Sequence, residues 1–209
     1  MNKLQNTYSL IKPAIDARLE AFSLLWEHGS DLELFREICF CTCTPQTNAH
    51  RGWAAACTLF ENNMLVQGCV SQVAKVLRDC GVRFHNHKAH YIVQNREKLY
   101  PNTKIRIGNT LSQDDPQTIL CSLVAGWGMK EAAHFMRNIG FGHIACILDR
   151  HILRQLVQYG VIPEIPKTLS KPKYQDIDAK MKAFAEKCRI PPAALDLVFW
   201  YEETGELFK

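Results

Sequence analysis

Apolar residues recur every three to four positions along most of the chain, the period of a helix that buries one face. Ile15, Leu19, Phe22 and Trp26 repeat in this way between Pro13 and Gly29, and Leu32 to Phe40 forms a second such stretch, stopped near Pro45. Thr47 to Asn63 carries Trp53, Cys57 and Phe60 on one face, and Val70 to Cys80 closes at Gly81, a residue suited to a helix stop. The same periodicity predicts helices over about Arg83 to Tyr100, Pro116 to Ala125, Lys130 to Ile139, Asp149 to Tyr159, Lys173 to Cys188 and Pro192 to Glu202. No alternating run bounded by turn residues reads as a strand, and Val161–Ile162 is too short to count. The pattern therefore predicts an all-α protein of about ten short helices. Two polar stretches read as loops: Pro101 to Asp115, and Gly160 to Pro172 with its three prolines.

Composition narrows the class. With 209 residues, 47% hydrophobic and 22% charged, the chain has enough apolar material for one large or two small globular domains. No apolar run approaches the roughly 20 residues of a membrane span, and Met1 to Lys12 is too polar for a signal peptide. Nine cysteines are an odd number and cannot all pair, which fits free thiols and a cytoplasmic protein. The net charge of +4 is too small for a protein that coats a polyanion, but it is concentrated. Between Lys167 and Arg189, seven basic residues face three acidic ones, so this stretch alone carries the chain's excess. A solvated helix face and an anion-binding surface both fit that charge.

Three constellations suggest sites and are rejected. Cys39, Cys41 and Cys43 lack a second cysteine pair, and on a helix Cys41 points away from the other two, so buried structural thiols are expected. His85, His87 and His90 have no carboxylate or thiol at a useful offset to complete a metal site. Ser122, Asp149 and His151 lack the nucleophile-elbow pattern and the sheet that carries it.

The informative segment runs from Val124 to Gly140. An apolar helix ends in Gly126-Trp127-Gly128 and a second begins at once. Two glycines permit a tight turn and expose backbone N–H groups at a helix start, where a phosphate can bind; a plain helix–helix turn explains them as well. Lys130 falls in the first turn of the second helix, where the dipole disfavours an ammonium by about 0.3–1 kcal/mol. A lysine held neutral is a competent nucleophile. Asp149, before His-Ile-Leu-Arg, has the position of an N-cap whose carboxylate stays ionised.

This segment resembles the helix-hairpin-helix DNA glycosylases, which have such a hairpin, a lysine just after it and an aspartate downstream. The resemblance is closest to their type-2 8-oxoguanine DNA glycosylase/AP lyase branch. It is carried further by Cys43-Thr-Pro-Gln46, Val82-Arg-Phe84, Lys88-Ala-His-Tyr-Ile92, Tyr159-Gly-Val-Ile162, Ile165-Pro-Lys167 and Leu195 to Trp200, and it reaches Thr204 to Lys209. It implies two helical subdomains with a DNA-binding cleft between them: a central one over 32–142 and a terminal one made of 1–31 plus 143–209. It also implies a monomeric DNA repair enzyme acting on duplex DNA that contains 8-oxoguanine or abasic sites. Lys130 and Asp149 would be catalytic; Phe84, Trp200 and Lys209 would bind the base. Gln46, Gly126, Gly128, Lys167, Lys171 and Lys173 would contact the DNA. Some relatives carry a C-terminal four-cysteine iron–sulfur cluster. Only Cys188 lies near that region here, so no cluster, catalytic metal or organic cofactor is expected, although the family's hairpin carbonyls often bind a monovalent cation. A glycosylase for another damaged base, a non-catalytic helix-hairpin-helix DNA-binding module and a helical scaffold are the alternatives.

Overall fold

A computed structural model of the chain describes residues 2–209. They form twelve helices, and among the described residues there is no strand. In chain order the helices are α1 (Asn2–His28), α2 (Asp31–Cys43), α3 (Ala49–Glu61), α4 (Met64–Gln67), α5 (Val70–Asp79) and α6 (His85–Leu99). They continue with α7 (Thr103–Leu111), α8 (Pro116–Leu123), α9 (Met129–Asn138), α10 (Arg150–Gln158), α11 (Lys171–Cys188) and α12 (Pro192–Thr204). The all-α expectation holds, and three elements differ from it. The first helix does not begin at Pro13 but runs through it from Asn2. Leu4, Ile11, Ile15 and Phe22 are all buried, so one apolar face continues on both sides of the proline. Its burial outweighs the interior-proline cost of about 3 kcal/mol. Most of the expected loop 101–115 is α7: its buried face is Thr103, Ile107 and Thr110, two of them polar residues that an apolar pattern does not register. Asp31 also accepts the Lys104 N–H at 2.7 Å, satisfying an otherwise orphaned donor in the first turn of α7. The four-residue α4 is too short to leave a periodic trace.

Two compact units result: Leu25–Phe135, and the segments that flank it, up to Leu24 and from Met136 to Lys209. Their borders fall inside α1 and α9 rather than at 32 and 142. Helix α1 serves both units: its earlier turns bury Leu4 to Phe22, whereas Trp26 lies against Lys104 and Gly108 of α7.

In the Leu25–Phe135 unit, a capping box starts α2. Ser30 Oγ accepts the Glu33 N–H at 3.2 Å, and the Glu33 carboxylate accepts the Ser30 N–H at 2.9 Å. The turn between α8 and α9 is braced by α6. Asn95 is fully buried; its Oδ1 accepts the Ala125 N–H at 2.7 Å and its Nδ2 donates to the Ala125 carbonyl at 3.1 Å. One turn on, Lys98 Nζ donates to the Leu123 carbonyl at 2.7 Å.

In the other unit, the extended segment Ala145–Leu148 is buried and its backbone groups find partners on α11. Asp178 accepts the Cys146 N–H at 2.6 Å, Tyr174 Oη donates to the Cys146 carbonyl at 2.6 Å, and Lys182 Nζ donates to the Ile144 carbonyl at 2.6 Å.

Asn95→Ala removes both of Asn95's bonds and leaves the Ala125 groups without partners. The expected loss of stability is about 2–3 kcal/mol, to be read from the urea midpoint at unchanged slope. A change below about 0.5 kcal/mol would mean that the turn is not held by this side chain.

Candidate active site

The hairpin glycines take the conformations the turn demands. Gly126 has φ +84, and a β-carbon there would run into the Tyr91 ring, so the position admits no side chain. Gly128 is exposed, but its N–H donates to Glu131 Oε2 at 3.1 Å. That amide is already occupied, and a phosphate would have to displace the carboxylate. Between the glycines, Trp127 turns inward: its Nε1 donates to Thr42 Oγ1 at 2.9 Å and its ring packs on Phe135.

Lys130 stands in the first turn of α9. Its Nζ donates to Thr44 Oγ1 at 3.0 Å and lies 3.8 Å from Glu131 Oε1. Thr44 commits its own proton to the Cys41 carbonyl at 2.9 Å, so toward Lys130 it acts as an acceptor. The amine thus has a hydroxyl acceptor in Thr44 and a carboxylate neighbour in Glu131.

The segment after Thr44 is strained and fastened. Gln46 is exposed with φ +54, and Phe84, just ahead of α6, is 52% exposed with φ +57. A left-handed backbone at a non-glycine residue costs about 1–2 kcal/mol, so surrounding contacts must hold both residues there. Thr47 Oγ1 accepts the Arg83 N–H at 3.1 Å and ties the two segments together. Lys88, only 5% exposed, donates from one Nζ to the Cys43 carbonyl at 2.8 Å, the Pro45 carbonyl at 2.8 Å and Thr47 Oγ1 at 3.1 Å.

In the other unit, Asp149 caps α10: its Oδ1 accepts the Ile152 N–H at 2.9 Å. The side chain is partly exposed. Trp200 is also partly exposed; His151 packs edge-on against it at 5.3 Å and places Nδ1 2.6 Å from Glu203. Arg154 meets the same carboxylate at 3.2 Å. Lys209 is half-buried. Lys167, Lys171 and Lys173 are exposed, Lys167 in the loop and the other two in the first turn of α11. Lys173 pairs with Asp176 at 3.6 Å. Lys182, from the same basic stretch, pairs with Asp178 at 2.7 Å and serves the structure rather than a surface.

Cys39, Cys41 and Cys43 are buried free thiols within α2. The Cys43 thiol and burial push the Cys39 thiol well above its ordinary value, the state of an inert structural cysteine. No group of three metal-ligating side chains is gathered among the described residues. No described helix is long and apolar enough to cross a membrane.

Two short helices, α8 and α9, joined by a tight glycine turn form a helix-hairpin-helix. Comparison with known proteins makes the family explicit. The chain belongs to the 8-oxoguanine DNA glycosylase family, whose model matches residues 15–190. It is 36% identical over 212 aligned residues to the 8-oxoguanine DNA glycosylase/AP lyase of Fusobacterium nucleatum, covering 100% of this chain and 97% of the relative. The Methanocaldococcus jannaschii enzyme of the same description is 34% identical, over 96% of this chain and 94% of the relative. The crystal structure of the Thermotoga maritima 8-oxoguanine DNA glycosylase superposes with a TM-score of 0.89 at 32% identity, covering 100% and 97% of the two chains. The Methanocaldococcus jannaschii glycosylase/lyase, solved with 15mer DNA containing 8-oxoguanine, also gives 0.89 at 31% identity, covering 100% of both chains.

Lys88 and Thr44 do not stand out in the sequence as site residues, yet they hold the lysine and its loop. Burial pulls the Lys88 ammonium down to about 8; nearby Lys130 and Arg83 push the same way, while Cys43 and Glu131 oppose them. The unfolded chain keeps this proton up to the ordinary lysine value of about 10.4. Between the two values the unfolded state binds more protons, so Lys88 makes folding more favourable as pH rises through that window. The melting-temperature difference between the protein and its Lys88→Met variant is therefore expected to shift toward the parent between about pH 8 and pH 10. A pH-independent difference would mean that Lys88 titrates as it does in the unfolded chain.

Proposed function

We propose that this chain excises 8-oxoguanine from duplex DNA and then nicks the abasic strand, through an imine formed on Lys130. The observation that carries this reading is the Lys130 amine, held at 3.0 Å by Thr44 in the first turn after the glycine hairpin, within a chain of the 8-oxoguanine glycosylase family. Base flipping exposes the glycosidic bond at a cost of about a few kcal/mol. Neutral Lys130 attacks C1′; the bond from C1′ to N9 breaks, its electron pair leaves with the base, and the base takes up a proton. Asp149, held as the cap of α10, stabilises the positive charge that develops on the sugar. The nitrogen loses a proton and forms the C1′ imine as the C1′–O4′ ring bond breaks and O4′ takes up a proton. A proton then leaves C2′, and the bond from C3′ to its phosphate oxygen breaks, the phosphate leaving with the electron pair. These steps draw only on side chains and water.

The remaining assignments follow the same reading. Phe84 and Trp200 offer the base its aromatic faces, and Lys209 meets its polar edge. The strained exposure of Phe84 supports the first of these, because a core aromatic has no need of it. Gln46 fills the gap in the duplex. Gly126, Gly128, Lys167, Lys171 and Lys173 contact phosphates, the hairpin carbonyls hold a monovalent cation, and the enzyme works as a monomer.

Borohydride reduces the imine to a stable amine and so reads the intermediate directly. Lys130→Gln is expected to abolish both base release and the trapped adduct, while Asp149→Asn, still a good cap, loses about 100-fold or more in single-turnover rate at a nearly unchanged melting temperature. An adduct that persists in Lys130→Gln would assign the nucleophile elsewhere, and an unchanged rate in Asp149→Asn would leave that residue a cap only.

Lys209→Ala separates the two activities. Excision of 8-oxoguanine should fall, whereas nicking at a preformed abasic site should survive, since that step meets no base. Full retention of 8-oxoguanine excision would remove Lys209 from the base pocket, and equal loss of both activities would point to misfolding.

A further inference from the structure

We propose that Lys88 is a positioning residue for the attacking lysine, acting through the backbone on either side of Thr44. Its ammonium bonds the carbonyls of Cys43 and Pro45 at 2.8 Å each, and these two residues flank the threonine whose hydroxyl receives Lys130 Nζ at 3.0 Å. The same nitrogen reaches Thr47, which holds the Arg83 N–H beside Phe84. One buried side chain thus fixes the seat of the Lys130 amine and both segments that adopt left-handed backbone, at Gln46 and Phe84. Thr44 closes α2, where the last carbonyls have no intrahelical donors. Lys88 supplies a donor to one of them and to the loop beyond it. Its own approach to DNA is closed by burial and by its three acceptors, so it touches no reactant. Loss of its charge and reach frees the 43–47 segment and lets Thr44 drift from the amine. A drift of about 1 Å costs near 100-fold in a reaction that depends on alignment.

The inference rests on the assignment of Lys130 as nucleophile, and its test keeps the two apart. Single-turnover borohydride trapping on abasic-site duplex at neutral pH is measured for the parent, Lys88→Met, Thr44→Val and the double variant, with Lys130→Gln as control. Lys88→Met is expected to slow trapping by about 100-fold. Thr44→Val, which loses the hydrogen bond that seats the amine, is expected to slow it by about 10-fold. Thr44→Ser should restore the parent rate. Because both residues act on one contact, the double variant should be no more than about 3-fold slower than Lys88→Met alone. Losses that multiply in full, or a Lys88→Met rate equal to the parent's, overturn the proposal while leaving Lys130 in place. Trapping that persists in Lys130→Gln overturns both, and peptide mapping of that adduct to Lys88 would make Lys88 the nucleophile instead. Should Lys88→Met fail to fold, Lys88→Gln replaces it in the same cycle. It keeps two donors on a shorter side chain, and the same non-multiplicative outcome is required of it.

Discussion

Thr44, Phe84, Lys130 and Asp149 each stand where a helix starts or stops, and there backbone N–H and C=O groups lose their partners within the helix. Buried groups of that kind must be satisfied from elsewhere, because leaving one bare costs about 1–3 kcal/mol. Here the partners come largely from a single face of α6. Lys88, Tyr91, Asn95 and Lys98 follow one another at helical spacing. Lys88 bonds the loop after α2, the Tyr91 ring closes over Gly126, and Asn95 and Lys98 bond the end of α8 and the turn beyond it. The loop bearing Thr44 and the hairpin that leads to Lys130 are thus set against one rigid element. The separation of amine and hydroxyl follows from that shared support.

The contact between the hairpin and α2 completes the arrangement. Thr42 receives Trp127 and Thr44 receives Lys130, so two hydroxyls two residues apart bind two hairpin residues three apart. Each hydroxyl returns its own proton to a carbonyl of α2, Thr42 to Ile38 and Thr44 to Cys41. Toward the hairpin both therefore act only as acceptors, and Thr44 orients the Lys130 amine through one N–H.

The sequence disclosed the parts of this arrangement that are local. Gly126-Trp-Gly128 and Lys130 adjoin along the chain, and Asp149 caps the helix it precedes, so short-range rules reach them. Most helices were legible for the same reason. Helix α7 and the part of α1 ahead of Pro13 were not, because buried threonines carry one and burial overrides a proline in the other. Lys88 and Thr44 were invisible as site residues for a different reason. They are 44 residues apart, Lys88 reaches the carbonyls on either side of Thr44 only in the fold, and a pattern reading that follows apolar positions passes over a buried lysine.

The other unit uses the same device. Tyr174, Asp178 and Lys182 lie four residues apart on α11, again one face of a helix. They bond the backbone of residues 144–148, the extended segment that ends at Asp149. A polar stripe on a helix is therefore the common means by which this chain orders backbone that is neither helix nor sheet, once ahead of each of its two catalytic candidates. This explains why the basic stretch from Lys167 to Arg189 misleads when charges are merely counted. Lys182 belongs to the stripe with its Asp178 partner, and Lys173 and Lys180 both meet Asp176. Placement on the helix separates charges that support the backbone from those left to attract a polyanion. By that criterion Lys182 supports the backbone, whereas Lys167 is exposed in the loop ahead of α11.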